Sequence, residues 1–102
     1  MPEFGTPFAG AARDRKLSKE ELIRAIRFMV AAEYEAIQLY LQLAESTDDT
    51  LAQEVLRDIA DEERVHAGEF LHLLHHLAPE EKQFYAEGAD EVDEIREKMK
   101  KK

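Results

Sequence analysis

The chain has 102 residues, 44% of them hydrophobic, with 23 acids against 14 bases and a net charge of -9. That length holds one small domain, which buries about 60–70% of the surface its unfolded chain exposes, and the apolar share excludes general disorder. The absence of Cys excludes disulfides, thiolate catalysis and iron–sulfur or zinc–thiolate sites, and it fits a reducing cytoplasm.

No stretch approaches the roughly 20 apolar residues of a membrane span, so no membrane is expected as a partner. The first residues lack the charged-then-apolar layout of a signal peptide. The acids are unevenly placed: nine fall between Glu45 and Glu69, against two bases, Arg57 and Arg64. A surface of this kind repels phosphate backbones, which argues against nucleic acid, and it concentrates cations.

Residues 1–17 carry two Pro, two Gly and no sustained periodicity, and a flexible arm is expected there. The folded domain is expected over 18–102. Ser18-Lys-Glu-Glu21 is a capping-box pattern that opens a helix running to about Glu45. Apolar residues recur along it at three- and four-residue steps: Leu22, Ile26, Met29, Ala36, Ile37, Tyr40 and Leu43. A second row (Ile23, Val30, Tyr34, Leu41) widens the face, so the helix is expected to meet more than one neighbour.

Ser46-Thr-Asp-Asp-Thr50 reads as a tight connection, which sets the next helix antiparallel to the first. That second helix is expected from about Thr50 to Leu77, stopping ahead of Pro79. Its expected stripe is Ala52, Leu56, Ile59, Glu63, His66, Phe70, Leu73 and Leu77. Pro79 suits the first turn of a third, short helix over about 80–87. Gly88 is expected to weaken it, with a further short helix over about 90–99. The fold class is all-α: two long antiparallel helices plus a short C-terminal helix.

Glu33, Glu63 and His66 interrupt the apolar stripes. An isolated buried carboxylate costs several kcal/mol or more unless it is paired or coordinates a metal. Glu63 and His66 lie one helical turn apart, at the depth where an antiparallel hairpin places Glu33. One chain has too few of these ligands for two metals, whereas two chains offer four Glu and two His. That is the ligand inventory of di-iron carboxylate bundles, so a homodimer completing a four-helix bundle is expected. Oxygen and imidazole donors suit iron, manganese or zinc.

A lone Glu-x-x-His is a weak signal, since most such pairs face solvent and bind nothing. The competing reading rotates the core face so that Glu62 points inward instead of Glu63. Tyr40 lies about two turns from Glu33 on the same stripe, as an electron donor, a hydrogen-bond partner or plain core. Glu35 lies off the seam, on an acidic approach path for cations or on the solvated face. His72, His75 and His76 are expected to be solvated or interface histidines.

The stretches Ala32-Glu-Tyr-Glu-Ala-Ile-Gln-Leu-Tyr40, Ser46-Thr-Asp48 and Asp61-Glu-Glu-Arg-Val-His-Ala67 resemble the ferritin-like superfamily, and within it the encapsulated ferritins. The resemblance spans roughly 18–98. It implies half a four-helix bundle per chain and a ferroxidase centre with two irons between chains. Glu33, Glu63 and His66 would be the iron ligands, Tyr40 a residue next to them, and Glu35 an acidic approach position. It also implies a ring of dimers, usually a decamer, held in the cytoplasm inside an encapsulin shell that stores the ferric product.

The sequence departs from the family pattern at Ala32, where an acid is frequent, and at Leu39, where a Trp is. A shell-docking peptide is not recognisable in Lys98-Met-Lys-Lys-Lys102. The chain then reads as the N-terminal part of a cargo–shell fusion or as a truncated cargo. Two other functions remain open at this stage: rubrerythrin-like peroxide reduction, and an acidic helical assembly module without chemistry.

Overall fold

The structure, a computed structural model, describes residues 15–101. Most of the expected N-terminal arm lies outside them. The described residues form three helices and no strand: α1 (Lys19–Glu45), α2 (Thr50–Leu77) and α3 (Pro79–Lys100).

Local chemistry sets each boundary. The Ser18 hydroxyl accepts from the Glu21 N–H at 3.2 Å, while the Glu21 carboxylate accepts from the Ser18 N–H at 2.9 Å. Both satisfy amides that a helix start leaves free. Arg15 grips the same carboxylate through two nitrogens, at 2.7 and 2.8 Å. At the first connection the Ser46 hydroxyl donates to the Gln42 carbonyl at 2.7 Å, and Asp49 caps α2 by accepting from the Ala52 N–H at 2.8 Å. Ala78 alone separates α2 from α3, with Pro79 in the first turn of the new helix.

The hairpin buries a seam of heptad type. On α1 it runs through Ile23, Ile26, Val30, Ile37 and Ala44, and on α2 through Ala60, Ala67 and Leu74. The tightest packing lies at the end away from the connection, where Ile23, Ile26, Leu74 and Ala78 meet, with Phe70 and Leu77 against them. Small side chains at Ala60 and Ala67 let the two helices approach closely along the middle of the seam.

The α2 seam differs from the expected stripe by one position. Ala60, Ala67 and Leu74 are buried, whereas His66 and Leu73 are exposed. The row is set by seven-residue spacing with Leu74, which puts the small Ala60 and Ala67 side chains, rather than the larger Ile59 and Leu73 beside them, on the α1 contact. Glu63 belongs to both versions and is half-buried, while Glu62 is exposed; the rotation that would turn Glu62 inward is excluded.

The C-terminal segment also departs from expectation. Instead of two short pieces, α3 is one helix of 22 residues that passes through Gly88 without a break. A mid-helix Gly costs about 1 kcal/mol relative to Ala. Here acids in the first turn and lysines in the last complement the helix dipole. Pairs Arg96–Asp93 at 3.4 Å and Lys100–Glu97 at 3.3 Å add support one turn apart.

From Lys82 onward every described residue is exposed. What ties α3 to the hairpin is concentrated in its first two turns. Arg27 of α1 donates to Glu81 through its Nε at 2.7 Å and also through a terminal nitrogen. The Tyr85 hydroxyl donates to the same carboxylate at 2.7 Å. The Tyr85 ring stands edge-on to His75, with centroids 5.4 Å apart.

Candidate metal centre

Glu33 and Glu63 occupy the midpoints of α1 and α2, so an antiparallel hairpin with a short connection brings them to the same depth. Each follows a buried residue by three positions on its own seam, Val30 and Ala60, and so points towards the interhelical contact. His66, one turn beyond Glu63, falls on the flank of the seam rather than its centre.

One ligand atom from each of Glu33, Glu63 and His66 lies within 4.8 Å of the other two. The His66 Nδ1 stands 3.6 Å from Glu63 Oε2 and 3.8 Å from Glu33 Oε2. Both gaps exceed hydrogen-bond range. Two donors each about 2.1 Å from a shared cation lie about 3.0–3.4 Å apart in octahedral or tetrahedral arrangement. The two gaps to His66 exceed the wider of these spacings by only a few tenths of an ångström, and all three donors lie within 4.8 Å of one another.

Burial adds a second argument. The two carboxylate side chains are each 18% exposed, while that of His66 is 50% exposed. The inner oxygen of Glu33, Oε2, is buried and has no hydrogen-bond partner. An unsatisfied buried acceptor costs about 1–3 kcal/mol, more when charged, and a cation at the cluster would offset that cost. The half-open imidazole marks the side of the cluster that this one hairpin leaves uncovered. An open groove reaches the cluster there, lined by Glu33, His66, Glu69, Phe70 and Leu73.

The remaining site expectations separate. Tyr40 is half-buried and lines a different groove near the end of α1, with Leu39, Gln42, Leu43 and Ser46. Glu35 is half-buried and is not one of the three clustered groups. His72 and His76 are exposed as expected. His75 is not solvated: it is half-buried, its Nε2 is buried without a hydrogen-bond partner, and its ring meets Tyr85.

The Arg27–Glu81–Tyr85 cluster had no signature in the sequence, because its ion pair joins residues 54 positions apart. The Arg27 guanidinium and the Tyr85 hydroxyl hold the Glu81 carboxyl below its ordinary range. Donation to Glu81, reinforced by burial, in turn raises the Tyr85 phenol.

A family model described as rubrerythrin matches residues 22–102. The chain is 41% identical over 83 residues to the ferritin-like–encapsulin shell fusion protein of Pyrococcus furiosus, covering 81% of this chain and 24% of that one. It is 42% identical over 67 residues to the encapsulin nanocompartment cargo protein EncC of Myxococcus xanthus, covering 66% of this chain and 52% of that one. The chain thus spans about a quarter and about half of these two curated relatives. Among solved structures, the crystal structure of the encapsulated ferritin domain from Pyrococcus furiosus superposes with a TM-score of 0.82 at 36% identity, over 91% of this chain and 95% of that one.

Proposed function

The chain belongs to the encapsulated ferritins, within the rubrerythrin family of ferritin-like proteins, and from that premise we propose that it is a ferroxidase whose centre forms between two chains. The observation that carries this reading is the convergence of Glu33, Glu63 and His66 around a buried carboxylate oxygen that no protein group satisfies. A single hairpin supplies three ligands. Two related by a two-fold axis supply four carboxylates and two imidazoles, enough for a pair of metals.

Residues 18–102 act as one unit, a hairpin domain with its C-terminal helix. Fe(II) is the substrate. Glu33 and Glu63 provide anionic oxygens that favour the higher charge of Fe(III), and His66 fixes the geometry from the exposed side. Two Fe(II) held side by side give up one electron each to dioxygen or peroxide. Tyr40, in its separate groove further along α1, is held as an electron donor or hydrogen-bond partner of the completed centre, and Glu35 as an acidic approach position.

The exposed apolar side chains left on a single chain, among them Leu39, Leu51, Val65 and Phe84, fit a dimer and a ring of dimers such as a decamer. The names of the two curated relatives extend the reading to an encapsulin shell as partner. The ferric product is then delivered inside that cytoplasmic compartment.

The test is oxidation of Fe(II), followed by absorbance at one Fe(II) per chain. Glu63→Ala and His66→Ala are expected to slow it by at least about 100-fold, the upper range for losing a residue that merely supports a ligand. Unchanged rates in both variants would contradict the reading. The rubrerythrin description of the matching family model favours a second reading, peroxide reduction. Without Cys, that chemistry requires a separate electron donor. Turnover that responds to peroxide and such a donor, but not to dioxygen, would select it.

A further inference from the structure

We propose that His72 and His76 form a second cation site, a two-imidazole clamp on the outer face of α2 for a divalent metal of the nickel, copper or zinc class. The chain has four histidines. His66 belongs to the cluster with Glu33 and Glu63, and the His75 ring packs edge-on to Tyr85. His72 and His76 remain. Both are exposed, and neither makes a hydrogen bond, ion pair or ring contact among the described residues. Their ring nitrogens are therefore not committed to another group of the protein.

Spacing makes them a pair. α2 runs unbroken from Thr50 to Leu77, so residues four apart stand on one face with Cβ atoms about 5–6 Å apart. Two imidazoles so placed reach one cation, as the two histidines of the His-Glu-x-x-His zinc helix do. Each nitrogen then lies about 2.0–2.1 Å from the metal, and water completes the coordination. At about 100° per residue, both histidines lie about 160° around α2 from the buried Leu74, so the pair faces away from α1. It also stands about 80–120° around the helix from His66. A second copy completing the cluster meets the Glu63 and His66 side of α2, and the clamp does not need it. His76 lies in the last turn of α2, where the partial negative charge of a helix end favours a cation.

Donor chemistry separates the two sites. Two of the three donors in the cluster are carboxylates, whereas the clamp offers nitrogen alone. Imidazole pairs favour Ni(II), Cu(II) and Zn(II), and carboxylates suit Mn(II). The probes are therefore Ni(II) and Mn(II), each equilibrated with the full chain by dialysis and counted per chain by elemental analysis. The variants are His72→Ala, His76→Ala, and Gly68→His added to His76→Ala. The last restores a four-residue spacing with His72. Gly68 is exposed, and an added Cβ there meets nothing within 4 Å.

His72→Ala and His76→Ala are each expected to weaken one Ni(II) site by roughly 100-fold, the lower end of what joining two binding groups contributes. Mn(II) uptake and helicity should stay at parental values. Gly68→His in the His76→Ala background should recover Ni(II) affinity by at least about tenfold. Glu63→Ala combined with His66→Ala should keep the Ni(II) held by the clamp. Affinity within about threefold of the parent in both single variants would overturn the proposal, as would no recovery with Gly68→His. Loss of all Ni(II) from Glu63→Ala combined with His66→Ala also overturns it. So does a Ni(II)-dependent rise in mass that His72→Ala abolishes, since that places the site between chains. The metal-centre reading fails separately, if Glu63→Ala combined with His66→Ala leaves Mn(II) uptake unchanged.

Discussion

Glu33 holds the energetic tension of this molecule. Its inner oxygen is buried without a partner, within a few ångströms of a second carboxylate and an imidazole. On the proposed reading, that arrangement in the absence of metal favours function over stability, as strained functional sites do. Glu33→Gln is therefore expected to make the metal-free protein more stable by about 1 kcal/mol, which for a domain of this size is a rise in Tm of roughly 4–8 °C. Thermal melting followed by circular dichroism in chelator measures it. The same variant should lose the further rise in Tm that a divalent metal gives the parent, and a lower metal-free Tm would contradict the account. Leu74 behaves in the opposite way. It is 2% exposed at the tightest part of the core, so Leu74→Ala should cost about 2–5 kcal/mol in chemical denaturation by opening a cavity.

At the scale of elements, α3 is the least anchored part of the chain. Its ties run through Glu81, whose carboxyl the Arg27 guanidinium and the Tyr85 hydroxyl hold below the ordinary range. Because the folded value is the lower one, the contribution is fully present above the ordinary glutamate range near 4.3 and disappears as pH falls through the folded value. Hydrogen exchange in α3 should accordingly be flat from about pH 5 upward, apart from the intrinsic rate, and should accelerate selectively in acid. Glu81→Gln should reproduce the accelerated exchange at neutral pH. A second expectation concerns Gly88, where an added Cβ meets nothing within 4 Å. Gly88→Ala should raise the helicity of α3 and stabilise it by roughly 0.5–1 kcal/mol. A loss of helicity would mean that the position serves something other than the helix.

These elements also mark how far the sequence could be read. The ends of α1 and α2 were legible because Ser18, Asp49 and Pro79 are chemically specific stop and start signals. The depth match of Glu33 with Glu63 followed from a short connection and from counting turns. The register of the α2 seam was not legible to one position, since apolar size suggested Ile59 and Leu73 while seven-residue spacing with Leu74 puts Ala60 and Ala67 on the contact. The continuity of α3 is not legible in the same way, because a lone Gly reads as a breaker while the helix formers on either side carry the helix through it.

At the scale of the whole molecule, the described residues, three helices measuring 58 × 45 × 20 Å with no buried residue on α3, leave much apolar surface in search of a neighbour. On the proposed reading the hairpin also holds only half the ligands that a pair of metals requires. Both features point to the same neighbour, a second copy of the chain. Light scattering on size-exclusion fractions, with Fe(II) added stepwise under anaerobic conditions, tests this most directly. The account expects mass at twice the chain or a higher even multiple, rising or sharpening in step with metal and saturating at one Fe(II) per chain. A monomer that binds Fe(II) and oxidises it at the full rate once air is admitted would contradict it.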